Sequence, residues 1–278
     1  MSANPPPLAV PAIALDNITQ PFAGDLLKRK ELADRLTGYV ERLSSGAVLA
    51  LDAPWGEGKT WFARNWAAKL AQDDWRVSVI DAFEQDYVED PFLLLAAEIK
   101  RLCATDDQAQ ERFLRKATRV GSALLPTLAK ATFKVAGNLV GIPNAPGIVS
   151  EAIEAAGDAG ADEAQAWVKR KLEDHEKDQA SVKAFREELE TFAHGPDEQP
   201  GKPVVVIIDE LDRCRPAFAV RLIERIKHFF DVPNLVFVLV MNRQQLEQAL
   251  KGVYGAETDA GAYLGKFLHL SIRLPKER

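Results

Sequence analysis

Apolar residues fall into two alternating kinds of run along the chain: short unbroken stretches, and longer ones repeating every three to four residues. Ala47-Val48-Leu49-Ala50-Leu51, bounded by Gly46 and Pro54, is too short for a helix and reads as a buried strand. Ahead of it, Asp25–Ser45 places Leu32, Leu36, Tyr39, Val40 and Leu43 at helical spacing, with Asp25 as the candidate cap. After a glycine-rich turn, Thr60–Ala71 sets Phe62, Ala63, Trp66, Ala67 and Leu70 on one helical face. A second strand, Val77–Ile80, precedes a helix over Pro91–Leu102, which Asp90 caps and Pro91 starts.

Val204–Ile208 and Leu235–Met241 are apolar throughout, as expected of strands covered on both faces of a parallel sheet. Between them Pro216–Phe230 forms an amphipathic helix with Phe218, Leu222, Ile226 and Phe229 inward, and Asn242 caps a further helix reaching Leu250. Leu268, Leu270, Ile272 and Leu274 alternate with His269, Ser271 and Arg273, the pattern of a half-exposed strand at a sheet edge. Strands alternating with helices predict an α/β layered fold around a central, mainly parallel sheet.

That alternation is broken once. From Asp106 to about Gly201 there is no strand pattern: Arg112–Lys134 is basic and partly apolar, Gly137–Gly147 is rich in Gly and Pro, Glu151–Glu163 is acidic and Ala-rich, and Ala164–Phe192 is charged and helical. Residues 106–201 are read as a helical insertion leaving through the loop Gly195–Gly201. The core is then 16–105 and 202–278, and 1–15, opened by the Pro-rich Met1–Pro11, is a disordered lead-in without a signal-peptide pattern.

The turn between the first strand and its helix, Pro54-Trp55-Gly56-Glu57-Gly58-Lys59-Thr60, carries the first chemistry. A phosphate-binding loop (P-loop) needs glycines so that backbone amides can approach phosphates, and a helix N-terminus behind them. Lys59 is placed to reach the β- and γ-phosphates and Thr60 to ligate Mg²⁺, with Trp61 following. Ala53 stands where G-x-x-x-x-G-K-[ST] has its first glycine, so a glycine-rich turn that binds nothing is the competing reading. A second feature favours nucleotide: Val204–Ile208 runs into Asp209-Glu210, two carboxylates at a strand tip. Asp209 can organise the Mg²⁺ shell, as a Walker B Asp does, and Glu210 can take a proton from the attacking water. Asn242, at the tip of the next strand, is either a γ-phosphate sensor, the cap of the following helix, or both.

Composition narrows the alternatives. The net charge of −6 argues against a general nucleic-acid binder, so no DNA partner is expected. Cys103 and Cys214 form neither a disulfide framework nor a zinc pair, and are read as reduced core thiols of a cytoplasmic protein. His175, His194, His228 and His269 lack metal-ligand spacing. No run of about 18 uncharged apolar residues exists to span a membrane.

Two segments together make the chain resemble the KAP family of P-loop NTPases, a STAND-type branch: the loop 54–60, with its internal Trp55, and Ile208-Asp209-Glu210-Leu211-Asp212-Arg213-Cys214-Arg215-Pro216. Tyr263-Leu264-Gly265-Lys266-Phe267 and Asp25-Leu26-Leu27-Lys28-Arg29 also look like elements of that family, the latter near its nucleotide base. The resemblance implies a P-loop NTPase fold with the Walker B strand separated from the P-loop strand, ATP and Mg²⁺ as ligands, and Asp209 and Glu210 as metal and base residues. It implies that Asp212 and Arg213 belong either to the site or to a contact between subunits, and that Arg213 or Arg215, in the same subunit or a partner, stabilises transition-state charge. Family members often insert two membrane helices between the Walker segments; Lys130 and Lys134 interrupt the most apolar part of this insertion, so a soluble insertion is expected. The alternative is peripheral contact of a basic Arg112–Lys134 face with anionic lipid.

Three functions compete. One is an ATPase switch, slow because no helical lid follows the last strand, acting through the insertion, self-association or a protein effector. Another is an interaction module in which ATP is structural, and the third is a small-molecule kinase. By analogy with the family, the setting is membrane-linked signalling or bacterial defence.

Overall fold

The computed structural model describes residues 15, 17–88, 90–102, 111, 115, 117, 180–195, 201–229 and 231–275. Expectations for the lead-in and most of 106–201, and for Cys103 and His175, lie outside them; within that stretch 180–194 is helical. The chain forms two compact units, one of Met1–Leu102 with Phe192–Arg278 and one of Cys103–Thr191.

The first unit holds a five-stranded sheet. In chain order its elements are α1 (Arg29–Val40), β1 (Ala47–Asp52), α2 (Lys59–Gln72), β2 (Val77–Asp81), α3 (Pro91–Leu102), β3 (Val204–Asp209), α4 (Pro216–Ile226), β4 (Leu235–Met241), α5 (Arg243–Tyr254), α6 (Ala260–Gly265) and β5 (Leu270–Arg273). The strands lie in the order β2-β3-β4-β1-β5 and every pairing is parallel. β3 and β4 are buried at every position, as Val- and Ile-rich central strands with helices on both faces must be. β5 sits at the edge and alternates half-buried with exposed residues. Against one face Phe62, Trp66 and Leu70 of α2 are wholly buried with Leu49, Leu51, Val205 and Val238. Trp66 satisfies its indole by donating Nε1 to Thr37 Oγ1 at 3.0 Å, the partner a buried Trp needs.

β4 intervenes between β1 and β3, so the P-loop strand and the strand ending in Asp209 are separated. Because all strands are parallel, their C-terminal tips share one edge of the sheet. A crevice there is where open α/β sheets bind ligands.

Several boundaries differ from the sequence pattern. α1 begins at Arg29, not Asp25: Lys28 takes the preceding position with φ 54°, and Asp25 instead bonds the Leu27 and Lys30 amides at 3.2 and 2.8 Å. It stops at Val40 rather than Ser45. α5 runs on to Tyr254, where Gly255 at φ 104° ends it. Periodicity missed α6, whose six residues are too few to show a repeat; Asp259 caps it through the Ala262 amide at 2.9 Å.

Asp90 does cap α3, accepting from the Phe92 amide at 2.9 Å, but it also takes a two-pronged ion pair from Arg225 of α4 at 3.2 and 3.0 Å. Both side chains are largely buried. Removing the cation leaves a carboxylate stranded in low dielectric, which costs more than a lost cap. Arg225→Met is therefore expected to destabilise the protein by about 3 kcal/mol in urea titration; a loss under about 1 kcal/mol would mean that water reaches Asp90.

Candidate nucleotide site

The loop leaving β1 is fixed where it departs from the strand: Ala53 N–H donates to Met241 O at 3.2 Å, and Leu274 N–H to Asp52 O at 3.0 Å. Gly56 and Gly58 stand at φ 80° and 73°, left-handed conformations that glycine adopts without Cβ strain. Gly58 is the N-cap of α2 and, having no side chain, leaves the first amides of that helix without a side-chain cap. Such an open N-terminus directs N–H groups and the positive end of the helix dipole at an anion.

Lys59 is only 8% exposed, and its Nζ donates to Ala53 O at 2.8 Å and Pro54 O at 3.2 Å. The ammonium is thus folded over its own loop, where phosphate oxygens can take the place of the carbonyls.

Facing the loop across a cavity of about 220 Å³ is the tip of β3. Trp55, Gly56, Gly58, Lys59 and Thr60 line one side; Asp209, Glu210, Asp212 and Arg213 line the other. Asp209 is 1% exposed; its Oδ1 accepts the Glu210 amide at 2.8 Å, and Oδ2 has no hydrogen-bond partner among the described residues. Burial pushes this carboxyl up in pKa, and Asp81 adds to the shift; the Glu210 amide, the hydroxyl of Thr60 and Arg64 oppose it. Asp81 is the register neighbour of Asp209 across the β2–β3 ladder. A buried carboxylate with an orphaned oxygen, next to a threonine hydroxyl and a second acid, suits a hard divalent cation, so Thr60 and Asp209 fit as its ligands.

The raised pKa has a consequence for stability. A carboxyl whose folded pKa lies above its unfolded one stabilises the fold only when protonated, and that contribution is lost as pH rises through the folded value. At pH above the unfolded value, burying Asp209 therefore opposes folding. Asp209→Asn is expected to raise the melting temperature of the ligand-free protein by a few degrees at pH 7, with the advantage shrinking toward pH 4. A fall in melting temperature would contradict this.

Glu210 itself adopts φ 58°, a left-handed conformation uncommon for a side-chain-bearing residue and often found where function holds the backbone. It opens a 3₁₀ turn, Leu211–Arg213, and its Oε2 pairs with Arg213 Nη1 at 2.8 Å. Burial raises its pKa, Arg213 opposes the shift, and Asp209, Asp81 and Asp212 add to it. Trp55, 54% exposed, reaches out of the loop and donates Nε1 to Asp212 Oδ2 at 2.5 Å. The two walls of the cavity are thereby bonded to each other.

The structure does not bring every candidate into this cavity. Pro54 contributes a carbonyl to Lys59, and Glu57 a carbonyl to Arg29. Asn242 caps α5, accepting the Gln244 amide at 3.2 Å, and is not among the lining residues. Trp61 lines a second cavity, of about 260 Å³, with Gly24, Asp25, Leu26, Leu27 and Arg29. Arg215 turns away to Asp86, with its amide on Oδ2 at 2.9 Å and its guanidinium on the same residue. Of the two arginines, Arg213 faces the site.

Sequence reasoning missed Asp81, which lies just past the strand read over Val77–Ile80; it placed Arg29 in a segment near the nucleotide base but gave it no role at the loop. The Arg29 guanidinium donates to Glu57 O at 2.7 Å and Gly58 O at 3.3 Å. No local pattern marks a residue whose partners lie 28 and 29 positions on.

Among the described residues no helix is long and apolar enough to cross a membrane. A curated Escherichia coli (strain K12) protein, the phage T7 exclusion protein, is 29% identical over 72 residues, 26% of this chain and 10% of that protein. The match thus takes in about a tenth of that relative's length. The KAP family P-loop domain matches residues 29–278, nearly the whole chain and both walls of the cavity. The chain therefore belongs to the KAP family of P-loop NTPases and binds nucleotide.

Proposed function

We propose that the protein binds Mg-ATP in the cavity between the glycine loop and the β3 tip and hydrolyses it slowly, as a regulatory or assembly switch. The observation that carries this reading is the convergence of Lys59, Thr60, Asp209 and Glu210 on one cavity. Mg²⁺, when bound, neutralises charge on the phosphates, and Thr60 and Asp209 would hold it. The open amides of α2 and the Lys59 ammonium bind and orient the phosphates. Glu210 accepts the proton of the attacking water, and Arg213 exchanges its carboxylate partner for developing charge on the transferred phosphoryl group. The second cavity, beside Trp61 and residues 24–27, receives the base.

The Glu210–Arg213 ion pair favours a second reading: a nucleotide-binding interaction module with little turnover, because the base is already engaged. Phosphate release at saturating Mg-ATP separates the two. Release above that of Lys59→Ala supports the switch; equality with it leaves the module.

The local likeness to a protein named for phage exclusion supports a role in bacterial defence over membrane-linked signalling. The output would run through the segment between α3 and β3, through a second copy of the chain, or through a protein effector. Measuring the oligomeric state with and without a non-hydrolysable ATP analogue tests the assembly part; an unchanged monomer would defeat it.

A further inference from the structure

We propose that Arg29 is a positioning residue for the phosphate loop, and that it couples the cavity at residues 24–27 to the loop's phosphate-facing amides. This rests on nucleotide binding in the cavity of Lys59, and is independent of hydrolysis.

Arg29 is the first residue of α1 and only 5% exposed. A guanidinium is a planar fork, able to hold two carbonyls at once as an ammonium cannot. Here it takes the carbonyls of two successive residues, Glu57 and Gly58. A trans peptide is planar, with its C=O and the next N–H pointing oppositely. Holding the Glu57 and Gly58 carbonyls on the Arg29 side therefore turns the Gly58 and Lys59 amides away from it. Those are the amides that a phosphate needs at this helix N-terminus. The Gly58 carbonyl also accepts the Phe62 amide at 3.0 Å, so Arg29 is tied to the first turn of α2.

Glycine at 58 fits the same arrangement, since a Cβ there would stand 2.5 Å from Arg29 Nη1. The loop approaches the guanidinium as closely as a side-chain-free residue allows.

The other end of the link is equally defined. Asp25 bonds the Leu27 and Lys30 amides, which shapes the turn that delivers Arg29. Asp25, Leu26, Leu27 and Arg29 all line the second cavity. A ligand group seated there braces the turn that aims Arg29. Occupancy on the base side and order in the phosphate loop thus share one residue.

The test uses the full chain as wild type, Arg29→Ala and Arg29→Lys. Amide exchange in ligand-free protein and equilibrium binding of Mg-ADP are measured, with 20 mM guanidinium chloride or an equal concentration of sodium chloride added. In Arg29→Ala, exchange is expected to speed up at residues 57–60 while β1 and the interior of α2 stay protected. Mg-ADP affinity is expected to fall about tenfold or more. Guanidinium, but not sodium, should restore much of that loss, and Arg29→Lys should recover little of it.

Unchanged exchange at 57–60, or affinity within about twofold of wild type, would overturn the proposal. So would a loss that guanidinium does not rescue and that comes with lost protection throughout β1 and α2, since Arg29 would then be a general structural residue. If wild type binds no Mg-ADP, the nucleotide reading fails; the ligand-free exchange still decides whether Arg29 sets the loop.

Discussion

Glu210→Gln is expected to lower phosphate release from Mg-ATP by about 100- to 10,000-fold while leaving nucleotide affinity within about threefold of wild type. The amide is nearly the same size as the carboxylate and can still accept from Arg213, so the turn Leu211–Arg213 should persist. What it cannot do is hold the proton of the attacking water. Single-turnover phosphate release, with binding measured separately, distinguishes this from a folding defect. Equal release by wild type and variant would remove Glu210 from the chemistry.

The pH profile adds an independent check. Burial raises the Glu210 carboxyl, with Asp209, Asp81 and Asp212 adding to the shift and Arg213 opposing it. The base form is therefore reached at higher pH than in an ordinary glutamate. Turnover should climb as pH rises through that elevated value, and the Gln variant should lack this limb. Arg213→Ala removes the opposing cation and should move the limb to still higher pH.

The second large effect is on binding. Lys59→Ala is expected to weaken nucleotide affinity by about 100-fold or more, as loss of one or two charge-assisted phosphate contacts implies. Lys59 Nζ rests on the carbonyls of Ala53 and Pro54 beside the open end of α2, so phosphate is offered a cation and free amides together. Direct titration of labelled nucleotide reads the loss. Affinity equal to wild type would mean that phosphates do not sit in this cavity.

Much of the fold was legible because its central strands β1, β3 and β4 are buried on both faces. β4 and α3 span the very residues that their apolar runs and caps predict, since nothing in their surroundings competes with the local pattern. The order of the strands was another matter. Periodicity tells which segments are strands but not their neighbours, and the separation of β1 from β3 was foreseen only through the family resemblance. The site divides the same way. The loop 54–60 and Asp209-Glu210 carry chemistry in contiguous residues, so their types and spacing expose them. Arg29 and Asp81 act through space, one from α1 onto the glycine loop and one across a ladder, and neither role has a local signature. The choice of Arg213 over Arg215 likewise depended on a turn of three residues that no pattern orients.

The strand order also constrains how the molecule is made. In the chain up to Leu102, β1 and β2 are not partners: β1 pairs with β4 and β5, and β2 with β3. Both strands therefore leave the ribosome with apolar faces uncovered and backbone edges unpaired, and wait for residues more than a hundred positions later. Contacts so distant in sequence make folding slow and leave such edges exposed to aggregation until synthesis has passed β4. A fragment ending near Leu102 should be insoluble by itself, and the glycine loop it contains should acquire its shape only when the later half arrives.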